Sequence, residues 1–198
     1  MSKLTRVAVF CGSSPGADPA YVAAARRLAE TFAAREIGLV YGGANVGLMG
    51  EIARAALALG VPVTGVIPDF LVDYEVAMTE LDDLRVVGSM HERKAAVAEL
   101  ADGFIAMPGG LGTLEEFFEA VTWAQLRLHS KPCGLFDVNG YYSRLVDFLE
   151  HAVAERFVKP AHRAAILISG DPGALLDQFE RYEAAPSDKW IDRRRGRI

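Results

Sequence analysis

Pro108-Gly109-Gly110-Leu111-Gly112-Thr113-Leu114-Glu115-Glu116 brings three glycines, a hydroxyl and two carboxylates into one short run. Glycines admit a close ligand and permit backbone conformations other residues avoid. If a helix starts there, its free N–H groups and partial positive charge make a ready seat for a phosphate. The carboxylates just behind that seat could work as a base or stabilise a cation. Thr113-x-x-Glu116 also reads as a capping box, with acidic residues favoured at a helix N-terminus. Capping alone does not call for three glycines immediately before it, whereas a closely approaching ligand does.

Two more turns carry glycine, Gly12-Ser13-Ser14-Pro15-Gly16 and Gly42-Gly43-Ala44-Asn45-Val46-Gly47. None of the three reads G-x-G-x-x-G; Gly110-x-Gly112 comes nearest but has Glu115 where the third glycine belongs, which argues against a dinucleotide. None ends in Lys-Ser/Thr, so the lysine and magnesium hydroxyl of a P-loop are missing. A monophosphate fits better, since it needs only a few N–H groups and a hydroxyl, which Gly110, Gly112 and Thr113 offer. Met90-His91-Glu92-Arg93-Lys94 opens another helix and sets two cations in a stretch where the helix dipole disfavours them. An anion nearby would relieve that conflict, and Arg93 can grip phosphate or carboxylate with paired N–H bonds.

These residues need elements to position them. Apolar runs at Val7–Cys11, Ile37–Tyr41, Val61–Ile67, Leu84–Val87, Phe104–Met107, Cys133–Phe136 and Ile166–Ile168 read as strands. Between them, helical spacing follows Asp18-Pro19 and spans Gly47–Leu59, His91–Ala101, Thr113–Leu128, Asn139–Val153 and the segment from Pro172. Strands alternating with helices pair in parallel, and runs apolar on both faces are covered on both sides. The prediction is a single α/β domain over residues 1–182, a doubly wound Rossmann-like parallel sheet with helices on both faces, followed by a short tail over 183–198. The glycine clusters fall at the carboxyl ends of strands, where such sheets bind ligands.

At 198 residues and 51% hydrophobic, the chain can bury a full core. A formal net charge of -5 opposes a global nucleic-acid-binding or membrane-coating role. The basic tail Arg193-Arg194-Arg195-Gly196-Arg197 reads as a solvated terminus. Cys11 and Cys133 are too few for a disulfide scaffold or a structural zinc site, and His91, His129, His151 and His162 lack ligand spacing. The first apolar run is too short for a signal peptide or a membrane span, so a cytoplasmic setting is expected.

With these motifs the sequence resembles the Lonely Guy family of cytokinin-activating phosphoribohydrolases. Pro108 to Glu116 matches the family's P-G-G-x-G-T-x-x-E throughout, and Met90 to Lys94 matches Met-x-x-Arg-Lys. Phe10–Gly16, Tyr41–Gly50, Thr122–Leu126 and Lys131–Leu135 are also similar, and the likeness runs from about Val7 to Phe179. The resemblance implies hydrolysis of the N-glycosidic bond of AMP or N6-prenylated AMP to free base and ribose 5-phosphate, without metal or organic cofactor. It implies Arg93 and Glu116 as the catalytic pair. It also implies substrate contacts from Glu75, Lys94, Gly110, Leu111, Gly112, Thr113 and Thr122, with Gly12, Ser13 and Gly43 beside them. A homodimer with active sites at the subunit interface is implied too.

Bond cleavage builds positive charge on the sugar. Glu116 is accordingly expected to act as an anion, favoured by the helix dipole and Arg93, activating water or stabilising the sugar cation. Arg93 is expected to clamp phosphate or ribose oxygens and orient Glu116. Proteins with this signature are sometimes labelled lysine decarboxylases, but Lys94, Lys131 and Lys159 sit in no recognisable pyridoxal phosphate motif. The alternative reading is a non-catalytic carrier of a phosphate-bearing cofactor such as molybdenum cofactor; retention of both Arg93 and Glu116 favours hydrolysis.

Overall fold

The computed structural model describes residues 4–72 and 77–184. Among the described residues, seven strands form one sheet: β1 (Arg6–Phe10), β2 (Gly38–Tyr41), β3 (Val63–Pro68), β4 (Asp83–Val87), β5 (Gly103–Ala106), β6 (Cys133–Phe136) and β7 (Ile166–Ser169). Their order is β4-β3-β2-β1-β5-β6-β7, and every pairing is parallel. Seven α-helices accompany them: α1 (Pro19–Arg35), α2 (Gly47–Ala58), α3 (Met90–Leu100), α4 (Leu111–Gln125), α5 (Ser143–Ala154), α6 (Pro160–Ala164) and α7 (Pro172–Glu180).

Alternate side chains of each strand serve two cores, as the two-residue strand period requires. Val7, Val9, Leu39, Tyr41, Ile105 and Met107 pack with α1, α2 and α7. Ala8, Val40, Phe104, Ala106 and Leu135 pack with α3, α4 and α5 on the other face. The inner strands β2, β5 and β6 are buried throughout, which explains why they read as uninterrupted apolar runs; β4, at the sheet edge, is partly exposed.

The chain winds outward from β1 to β4 and then returns through α3 to place β5 against the other side of β1. After these neighbours the chain leaves to opposite faces, into α1 and into α4, and a crevice opens between the two exits. That is the end of the sheet on which the glycine turns lie. Asp18 caps α1 by accepting from the Ala20 N–H at 2.8 Å, with Pro19 in the first turn, as predicted.

Two helix boundaries shift by several residues from the sequence reading, and one helix is additional to it. The helix expected over Thr113–Leu128 runs over Leu111–Gln125, because Gly110 is its N-cap and Leu126 ends it. Asn139 lies in a 3₁₀ turn with φ 52°, so the following helix starts at Ser143. The five-residue α6 carried no detectable period and was not foreseen. The expected tail falls mostly outside the described residues. Among the described residues no helix is long and apolar enough to cross a membrane, and no group of three or more His, Cys, Asp or Glu side chains is placed to hold a metal ion.

Candidate active site

The crevice is built by tight contact between the β1 and β5 exits. The Gly12 N–H donates to the Pro108 carbonyl at 3.1 Å, and the Met107 N–H to the Phe10 carbonyl at 2.9 Å. A β-carbon on Gly109 would collide with Thr113 Oγ1 and lie 2.8 Å from the Gly12 nitrogen, so only glycine fits there. The Leu48 N–H donates to the Gly12 carbonyl at 3.0 Å, tying the start of α2 to the same point. Three glycine turns therefore meet at one end of the sheet.

Two tyrosines buttress the β5 exit from below. Tyr142 Oη donates to the Met107 carbonyl at 2.6 Å, and Tyr141 Oη donates to the Gly109 carbonyl at 2.6 Å. A trans peptide points its C=O and N–H in opposite directions. Tyr141 thus fixes the Gly109–Gly110 peptide with the Gly110 N–H directed away from it. Gly110 as N-cap supplies no side-chain cap, and the opening amides of α4 have no partner within the helix. Space above Gly110 and Gly112 is open: a β-carbon on either would meet nothing within 4 Å.

Beside this turn stands a buried ion pair. Arg93, 7% exposed on α3, brings Nη2 within 3.3 Å of Glu116 Oε1 on α4. Arg93 rests against the backbone of Gly42, and its Nη1 lies 3.9 Å from Met90 Sδ. Lys94 Nζ, the next residue, meets Glu115 Oε1 at 2.5 Å and Glu119 Oε2 at 3.2 Å. The hydrogen bond to Glu115 leads in holding the Lys94 ammonium above its ordinary range, ahead of the opposing effect of burial. Phe10, Val97, Ala98, Phe104, Ala120 and Trp123 complete a pocket shared with Arg93, Lys94, Glu116 and Glu119, between α3 and α4. It has charged groups on one side and an apolar floor of two stacked rings, Phe10 and Phe104, 6.1 Å apart.

A family profile described as "Possible lysine decarboxylase" matches residues 49–179. A cytokinin riboside 5'-monophosphate phosphoribohydrolase of Arabidopsis thaliana is 46% identical over 182 residues, 92% of this chain and 84% of the relative. Another of that name, from Rhodococcoides fascians, is 49% identical over 166 residues, 83% of this chain and 84% of the relative. The chain belongs to the Lonely Guy family. A solved structure of a molybdenum cofactor binding protein from Rippkaea orientalis has a TM-score of 0.67 at 22% identity, covering 91% of this chain and 98% of that one; at that identity the likeness is one of fold.

The Lonely Guy motifs thus converge in space. Arg93, Lys94 and Glu116 line one pocket, and Gly110, Leu111, Gly112 and Thr113 form the first turn of α4 beside it. Leu111 is 87% exposed, whereas Thr113 is buried against Gly109. Gly12 and Ser13 form the β1 exit, with Ser13 exposed. Thr122 lies further along α4, on its exposed surface, with its hydroxyl donating to the Phe118 carbonyl at 2.7 Å. Gly43 is buried beneath Ile67 and Leu84 and is part of the packing under the crevice; its neighbour Gly42 is the glycine that touches Arg93. Glu75 lies outside the described residues.

The capping-box reading of Thr113 and Glu116 does not hold. Gly110 is the N-cap, so Thr113 is the third helical residue, and Glu116 stands a full turn inside α4. The helix dipole weakens quickly beyond the first turn, so Arg93, not the dipole, supplies the nearby positive charge on Glu116. The adjacent cations of α3 likewise meet carboxylates of α4 before any ligand arrives. A pyridoxal phosphate site does not fit: Lys94, the lysine in this pocket, is held as an ammonium between two carboxylates and is a poor Schiff-base nucleophile. Cys11 stays a thiol, since burial first and the Glu116 carboxylate second push its ionisation up.

Proposed function

We propose that this protein hydrolyses the N-glycosidic bond of nucleoside 5'-monophosphates, AMP and N6-prenylated AMP among them, releasing free base and ribose 5-phosphate. The observation that carries the reading is the buried Arg93–Glu116 pair beside the open first turn of α4. Relatives at nearly half identity over most of the chain bear the matching name.

In this reading the amides of Gly110, Leu111, Gly112 and Thr113 seat the 5'-phosphate, aided by the helix dipole. Phosphate binding energy holds the ribose with C1' toward Glu116. As the bond from C1' to the base nitrogen breaks, its electron pair leaves with the base, and positive charge spreads over C1' and the ring oxygen. The Glu116 carboxylate stabilises that cation and takes a proton from the water that adds to C1'. The departing base gains its proton from solvent and Glu116 returns its proton to solvent, so one nucleotide and one water become base and ribose 5-phosphate. Arg93 keeps Glu116 aimed and neutralises phosphate or ribose oxygens. Lys94, Thr122, Gly12, Ser13 and Glu75 contribute to substrate contact, the enzyme acts in the cytoplasm, and a homodimer encloses the site.

Incubating the protein with AMP and separating the products tests the reading. Release of adenine with stoichiometric ribose 5-phosphate is expected. Tight binding of AMP without any adenine would instead point to a carrier.

A further inference from the structure

Behind the pocket, the turn after α4 grips both of its helical walls. His129 Nε2 donates to the Ala120 carbonyl of α4 at 3.0 Å, and His129 Nδ1 accepts from the Lys131 N–H at 3.1 Å. The two contacts require the neutral ring with its hydrogen on Nε2. Lys131 Nζ then reaches the Ala98 carbonyl in the last turn of α3 at 2.5 Å. The His129 ring also tilts against Phe104, with centroids 5.2 Å apart.

Ala98, Phe104 and Ala120 are all wall residues of the pocket that holds Arg93 and Glu116. Ala120 lies one helical turn beyond Glu116, and Ala98 lies five residues beyond Arg93. No residue of this bracket needs to meet a ligand: it touches α3, α4 and β5 and nothing in the reacting centre. We infer that His129 and Lys131 are positioning residues, a bracket that sets the separation of α3 and α4 and through it the registration of Arg93 with Glu116. This deepens the hydrolase reading and rests on it for the kinetic part of its test. Misplacing a reacting group by about 1 Å can cost up to a hundredfold in rate.

Two variants open the bracket: Lys131→Met removes the contact to α3, and His129→Phe keeps a ring on Phe104 but loses both hydrogen bonds. Each is expected to lower kcat for AMP about tenfold or more, with KM changed less than about threefold because the phosphate seat lies elsewhere. Trp123, on the pocket wall, gives a readout free of catalysis. In a Trp190→Phe background its quenching by acrylamide should rise about twofold in both variants. Lys131→Arg, which restores a cationic donor, should return both rate and quenching toward the parent.

Unchanged kcat in a protein that releases adenine would overturn the inference. So would a loss of rate that merely follows the unfolded fraction seen by circular dichroism, or quenching that does not change. If the parent releases no base from AMP, yet quenching rises in Lys131→Met and falls back in Lys131→Arg, the bracket stands and the hydrolase reading falls.

Discussion

The guanidinium of Arg93 abuts Gly42, so near that any β-carbon at that position would occupy the space of Nη2. Met49 Sδ closes the same space, at 3.2 Å from where that carbon would sit. Arg93 is thereby pinned between a strand exit and the carboxylate of Glu116. Gly42→Ala should push the guanidinium away from Glu116 and lower kcat by roughly ten- to a hundredfold. Overpacking of this kind costs about 1–3 kcal/mol, so the variant should still fold. Steady-state kinetics together with thermal unfolding check both halves; full activity in a folded Gly42→Ala protein would show that Arg93 needs no such support.

Glu116→Gln preserves shape while removing the charge that stabilises the sugar cation and takes up the proton. A loss of about 10²–10⁴ in kcat is expected, the usual range for a positioned proton acceptor. Binding of AMP, measured by calorimetry, should change little, because the phosphate is held by α4. A Gln variant turning over at near the parental rate would move the chemistry to another group.

The open first turn of α4 predicts dependence on the phosphate. Adenosine should be cleaved at least about a hundredfold less efficiently than AMP in kcat/KM, in line with loss of several charge-assisted hydrogen bonds worth about 1.5–3 kcal/mol each. Tyr141→Phe frees the Gly109 carbonyl and lets its peptide rotate, so KM for AMP should rise about three- to tenfold while adenosine is unaffected. Equal rates on both substrates would empty the proposed seat.

His129 links stability to pH. Burial first, with the Lys131 ammonium adding and the Ala120 hydrogen bond opposing, lowers its ionisation below the ordinary histidine range. Protons therefore bind the unfolded chain more readily than the folded one. The neutral ring's stabilisation is complete above the unfolded value of about 6.5 and is lost as pH falls from there through the folded value. Relative to His129→Phe, the parent should be more stable by about 1 kcal/mol at pH 8, and that gap should shrink by pH 5. Urea titrations at both pH values measure it; a gap that widens on acidification would contradict the assignment.

Much of the framework is written in local patterns. The alternation of apolar runs with helical spacing is enough for the parallel sheet, since the inner strands β2, β5 and β6 are covered on both faces and carry no charged side chain. Arg93 and Glu116 were legible as candidates because they lie in distinctive motifs, and the structure brings them within 3.3 Å of each other. The start of α4 was not legible, because a glycine cap has no side chain and Thr113 imitates a cap three residues too late. A real capping arrangement passed unnoticed at α3, where Ser89 Oγ accepts from the Glu92 N–H at 3.2 Å and Glu92 in turn accepts from the Gly88 N–H at 2.9 Å. The choice between Gly42 and Gly43 depends on how the chain turns off β2, which neighbouring glycines leave undetermined in sequence. His129 and Lys131 act through backbone carbonyls of other helices, and no spacing rule reports such contacts.

The return of the chain from β4 to β5 has a consequence for descent with modification. Arg93 and Glu116 ride on α3 and α4, the helices immediately before and after β5, which lies beside the central strand β1. Loops around the crevice tolerate change more readily than these two helices, which pack on the sheet. Under the proposed function, lineages can therefore remodel which nucleobase is admitted while inheriting the Arg93–Glu116 pair intact.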